Sequence, residues 1–118
     1  MTLGSRQLLG QQSEQLAAEF LVSKDYKIIA RNVRTKLGEI DILAFHQETI
    51  VVVEVKALTH ASTFQPLDKI DSKKQRKLLL LAQEVAAKYP GRNIQIDAVT
   101  LYWNQQKEPV ITHFKSIL

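Results

Sequence analysis

Two neighbouring stretches decide how this chain reads. They are Gly38-Glu39-Ile40-Asp41-Ile42-Leu43-Ala44 and, a few residues on, Val51-Val52-Val53-Glu54-Val55-Lys56. Both are dominated by Val, Ile and Leu, the composition of strands packed in a sheet. The polar triplet His46-Gln47-Glu48 between them reads as the turn of a β-hairpin. Side chains alternate across a strand, so Glu39 and Asp41 share one face of the first stretch and Glu54 and Lys56 one face of the second. Ionised carboxylates in such surroundings carry a desolvation penalty on the order of several kcal/mol unless something offsets it.

Two offsets suit the pattern. One is an ion pair across the hairpin, Lys56 with Asp41 or Glu54 on a solvated face, contributing roughly 0.2–1 kcal/mol. The other is a divalent cation. Mg²⁺ takes oxygen ligands, commonly one or two carboxylates completed by water and phosphate oxygens. Asp41 and Glu54 on adjacent strands can share such an ion, with the Val55 carbonyl in reach. It would lower the pKa of a bound water and neutralise charge on a phosphodiester, and Lys56 would hold that water or the developing charge.

Outward from the hairpin, Ser5–Lys24 reads as a helix with Leu9, Leu16, Ala17, Phe20 and Leu21 on one side. Glu14 lies at the edge of that stripe, placed for a cleft or for solvent. A short strand, Tyr26–Ala30, precedes a turn over Arg34–Gly38. The hairpin strands follow, Glu39–Phe45 and Thr49–Leu58, then a loop, Thr59–Pro66. Asp71 or Ser72 caps a second helix running to about Tyr89, stopped by Pro90-Gly91, with Leu78, Leu81, Ala82 and Val85 as its core face. Strands Ile94–Tyr102 and Val110–Phe114 close the order αβββαββ, an α/β layered domain with a mixed sheet, in which the second helix lets the fourth strand pair parallel to an earlier one.

Composition narrows the function classes. The chain has 118 residues, 45% hydrophobic and 24% charged, which fits one globular domain spanning residues 1–118. Without cysteine there are no disulfides, thiolate metal sites or thiol nucleophiles, and the three histidines are scattered. The first residues, Met1–Glu14, lack the apolar run of a secretion signal, and no stretch approaches the roughly 20 apolar residues of a membrane span. A soluble cytoplasmic protein is the expectation. The net charge of +4 is compatible with nucleic acid, and Lys69, Lys73, Lys74, Arg76 and Lys77 concentrate it. Those cations read either as phosphate contacts or as a solvated face beside Asp68 and Asp71. Tyr102 and Trp103 read as core aromatics or as base-stacking surfaces. Asp97, polar in an apolar strand, reads as structural, paired with Arg31 or Arg34.

Asp41…Glu54-Val55-Lys56 resembles the D…(E/D)xK site of restriction-endonuclease-like nucleases. The longer string resembles the YraN-type family of bacterial nuclease-like proteins, related in fold to Holliday-junction resolvases. Gly10 and Glu14, Arg31-Asn32-Val33-Arg34, Gly38–Ile42, Val53–Lys56, Lys74-Gln75 and Ile96–Val99 all match family motifs. The resemblance implies metal ligation by Asp41 and Glu54, a catalytic Lys56, and Glu14 as a further acidic member. Glu39, Lys74 and Gln75 would support the site. Leu58 stands where the family has an arginine, Gln65 where it has the glycine of a Phe-Gly pair, and Val52 where it has phenylalanine.

The leading expectation is a Mg²⁺- or Mn²⁺-dependent endonuclease acting on nucleic acid, DNA rather than RNA, of branched or structured form. A homodimer would suit two strands. The absent arginine motivates an alternative, a catalytically silent nucleic-acid-binding module. A third reading is a structural or adaptor protein whose carboxylates are salt-bridged.

Overall fold

Local sequence builds the sheet from its tightest turn. At Gln47 and Glu48 the backbone adopts φ of 48° and 67°, and His46 pairs directly with Thr49. Two consecutive left-handed residues make the hairpin turn whose twist matches that of the strands it joins. In this computed structural model, which describes residues 5–59, 72–104 and 108–118, the order is α1 (Ser5–Ser23), β1 (Lys27–Thr35), β2 (Gly38–His46), β3 (Thr49–Leu58), α2 (Ser72–Lys88), β4 (Asn93–Tyr102) and β5 (Val110–Phe114). The expected αβββαββ order is therefore present, a restriction-endonuclease-like α/β arrangement.

The strands form one sheet in chain order, β1-β2-β3-β4-β5. All neighbours are antiparallel except β3 and β4, which run parallel from Thr49–Asn93 to Leu58–Tyr102. Parallel pairing requires a crossover, and α2 lies within it. Because helices cover both faces, the central strands are apolar on both sides. Ala17, Ala18 and Leu21 of α1 pack on Ile42, Ala44, Val51, Val53, Val99 and Leu101. Leu78, Leu81 and Val85 of α2 pack on Leu43, Ile50, Val52 and Ile96 from the other side.

Two details differ from the sequence expectation. β1 continues past Ala30 to Thr35 instead of turning at Arg34. An edge strand tolerates polar residues, so exposed Arg31, Asn32 and Arg34 conceal a strand from an apolar-run criterion. Asp97 is fully buried, as a structural group would be, but its partners are His113, Gln95 and the Ser116 N–H rather than Arg31 or Arg34. Both arginines sit on β1, three strands away from β4. Among the described residues, no helix is long and apolar enough to cross a membrane.

Candidate active site

The regular pleat fails at Asp41, and that failure positions the site. Ile42 packs with the α1-side core, yet Ile40 packs with the α2-side core, so alternation breaks across the residue between them. The strand register places Asn32 opposite Asp41, and Asn32 has φ of 52°, a conformation asparagine tolerates better than most residues. The β2–β3 ladder extends from the turn only as far as Ile42–Val53. Beyond it the Val55 N–H donates to Asp41 Oδ2 at 2.8 Å. A carboxylate thus fills the gap where the strands part.

Here β2, β3 and α2 enclose a hollow of about 250 Å³, lined by Glu39, Asp41, Glu54, Lys74, Lys77 and the apolar Leu78 and Leu81. Glu54 projects to the α2 side because its neighbours Val53 and Val55 face the α1 core. Its counter-ion is Lys74, with Nζ 2.6 Å from Glu54 Oε1. The Glu54 side chain is 16% exposed and that of Lys74 44%. Lys77 reaches the hollow across Gly38, where an added Cβ would come within 2.8 Å of Lys77 Cε. The glycine is thus the surface over which the lysine lies.

Glu14 approaches from α1, beside a neighbouring hollow that shares Glu39 with the first. With its amide oriented to satisfy both carboxylates, the Asn32 nitrogen donates to Glu39 Oε1 and Glu14 Oε2, each at 3.0 Å. Asn32 was not singled out from sequence. Its only signal was a lone asparagine between arginines in the Arg31–Arg34 motif. Lys56 is exposed and does not line the carboxylate hollow, and among the described residues it makes no ion pair. The cross-hairpin pair expected for Lys56 is therefore replaced by the α2 pair of Lys74 with Glu54. Lys73, Lys74 and Lys77 all lie on α2, as does Gln75, whereas Lys69, Asp68, Asp71, His60 and Phe64-Gln65 fall outside the described residues.

The electrostatics follow from this crowding. Burial, reinforced by repulsion from Glu54, Glu14 and Glu39, pushes the Asp41 carboxyl up to about 7 despite the bond from Val55. Burial also raises Glu14, with Glu39 adding repulsion and the Asn32 amide opposing it. Among the described residues, no group of three or more His, Cys, Asp or Glu side chains converges closely enough to hold a metal ion. One or two carboxylates, completed by water and phosphate oxygens, are nonetheless what an octahedral Mg²⁺ site takes from a protein, and Asp41 and Glu54 are a mutually repelling pair with Lys74 as the counter-ion of Glu54. That donor chemistry fits a hard divalent cation.

The family model described as "Uncharacterised protein family UPF0102" matches residues 13–101. The chain belongs to the UPF0102 family. It is 34% identical to a UPF0102 protein of Caldanaerobacter subterraneus subsp. tengcongensis over 87% of this chain and 86% of that relative. A UPF0102 protein of Aquifex aeolicus is 37% identical over 92% of this chain and 94% of its own length. One from Nocardia farcinica is 32% identical over 98% and 92% respectively. The YraN-type resemblance carried by Gly38–Ile42 and Val53–Lys56 is thus borne out as family membership, and the UPF0102 match takes in Glu14, Glu39, Asp41, Glu54, Lys56 and Lys74.

Trp103 has a mixed role. Its Nε1 donates to the buried Ser13 hydroxyl at 2.8 Å, and its ring packs at the margin of the α1-side core. It also lines a surface groove along α1 with Gln11, Gln12 and Gln15.

Proposed function

We propose that this UPF0102 protein is a metal-dependent phosphodiesterase acting on nucleic acid. The observation carrying this reading is the hollow that puts Asp41 and Glu54 beneath Lys74 and Lys77. Carboxylates below and ammonium groups above suit a divalent ion and a phosphate respectively. What a Mg²⁺ or Mn²⁺ ion held by Asp41 and Glu54 supplies is neutralisation of phosphodiester charge and a water more easily deprotonated. Lys77, lying over Gly38, contributes positive charge at the phosphate. Val55 fixes the Asp41 carboxylate through its N–H, and Asn32 fixes Glu14 and Glu39. Lys56, exposed beside the site on β3, is the remaining candidate to orient water once substrate covers it.

The position of Lys56 outside the hollow, together with Leu58 in place of the family arginine, favours one second reading. In it the same surface binds nucleic acid without hydrolysing it. Calorimetric titration of Mn²⁺ into the wild type and Asp41→Ala, with and without a non-cleavable oligonucleotide, tests the metal site directly. The expected result is saturable binding lost in the variant, accompanied by loss of cleavage. Identical isotherms for the two proteins would remove the metal-dependent reading, and metal binding without turnover on any substrate would favour the silent module.

A further inference from the structure

Shared lining residues relate the carboxylate hollow to two others. Glu39 is shared with a hollow of about 460 Å³ lined by Gly10, Gln11, Glu14, Asn32 and Arg34. Gln11 is shared in turn with the groove of about 590 Å³ that runs past Gln15 to Trp103. The sizes differ usefully. Small-ligand pockets span roughly 300–1,000 Å³, so the carboxylate hollow suits an ion, waters and a phosphate group, whereas each of the others has room for a larger group such as a nucleoside.

Their linings differ as well. The middle hollow presents amides and carboxylates, the groups that read the donor and acceptor edges of bases. The far groove is lined in part by Trp103, and aromatic side chains are the usual sequence-tolerant platform for an unpaired base. The charges are mixed: Glu14 and Glu39 line the middle hollow and Glu19 the far groove, with Arg34 3.9 Å from Glu39. Arg34 lines the middle hollow, and Arg31 donates to Gln15 Oε1 at 2.7 Å beside the groove. Gly10 adds an independent observation. Glycine weakens a helix interior, yet among the described residues a Cβ at Gly10 would meet nothing within 4 Å. Among the described residues nothing fills this space, which borders the middle hollow, so their packing does not require the glycine.

We propose that the strand on one side of the scissile phosphate runs unpaired along α1, its first base in the hollow over Gly10 and its next against Trp103. The proposal rests on the nucleic-acid reading above and narrows the substrate class to polynucleotides with a single-stranded segment beside the cleavage point. Base edges meet Asn32 and Gln11, Arg34 and Arg31 follow the backbone, and stacking against Trp103 calls for a base that is not paired within a duplex.

Trp103 is the only tryptophan in the chain, so its fluorescence reports the track directly. Short oligothymidylate, oligouridylate and a blunt DNA duplex are titrated in EDTA into the wild type and Gly10→Leu, with duplex affinity also followed by anisotropy. Saturable quenching by either single strand, at least about tenfold weaker for the duplex, is the expected result. Gly10→Leu should keep or raise the melting temperature and leave Mn²⁺ and duplex binding unchanged, while binding single strands at least about tenfold more weakly. Undiminished single-strand binding by a folded Gly10→Leu overturns the track. So does duplex binding as tight as single-strand binding without a Trp103 signal, which leaves the nucleic-acid reading intact. Binding of neither form removes both.

Discussion

Asp41 is held where two strands separate, with one oxygen fixed by the Val55 N–H and three other acidic side chains acting on it. Its ordinary value is 3.8, and in the fold it rises to about 7. A carboxyl whose folded value is raised favours the fold while protonated, and that advantage is lost as pH climbs from about 4 to 7. The metal-free protein is therefore under electrostatic strain above neutrality. Asn at this position keeps an acceptor for Val55 and removes the charge. In chelator at pH 8, Asp41→Asn should be more stable than wild type by about 1–3 kcal/mol in urea denaturation, with no gain near pH 4. A variant that is less stable at pH 8 would mean that Asp41 is comfortably ionised without metal. Asp97 shows the opposite environment. Burial pushes it up, but bonds from His113 at 2.7 Å, the Ser116 N–H at 2.9 Å and Gln95 at 2.8 Å together hold it below the usual carboxylate range.

At the scale of elements, Asp97 ties three pieces of chain together: β4, which carries it and Gln95, β5 through His113, and the tail through Ser116. Its lowered value stabilises the fold above the unfolded carboxylate range, and that contribution disappears as pH falls through the folded value. Asp97→Ala should cost about 2–4 kcal/mol near neutrality, since it removes the shared acceptor of half-buried His113 and Gln95 and of the Ser116 N–H. Its acid-side loss of stability should be shallower than that of the wild type, and a denaturation series from pH 2 to 7 decides the matter. Asp97 also illustrates what the sequence withheld. A polar residue inside Ile96–Val99 marked something structural, but its partners depend on strand order, which places β5 beside it and β1 far away. The same holds at the site. Asp41 and Glu54 were legible because charge within aliphatic strands is costly, and the hairpin fixed their neighbourhood. The Lys74 counter-ion was not, because it depends on how α2 settles over β3. Helix and strand identities followed from periodicity, except where edge strand β1 had no apolar face to announce its second half.

At the scale of the whole molecule, positive charge around the site lies on the N-terminal part of α2 and on β1, with Glu14, Glu39, Asp41 and Glu54 between them. Binding of single strands that draws on Arg31, Arg34, Lys73, Lys74 and Lys77 should weaken with salt at a log–log slope between about −2 and −4. A slope near zero would exclude backbone contacts by these groups. The sheet has a further consequence through its one parallel pair. The β1–β2–β3 meander can form from adjacent chain, whereas β4 reaches β3 only after α2 has crossed over. During synthesis, therefore, β3 emerges and waits as an unprotected edge, with Ile50-Val51-Val52-Val53 offering main-chain groups to any other chain nearby. Glu54 and Lys56 interrupt the aliphatic run on that waiting strand. Whatever chemistry they serve in the finished protein, they also act as gatekeepers against aggregation while the chain is incomplete.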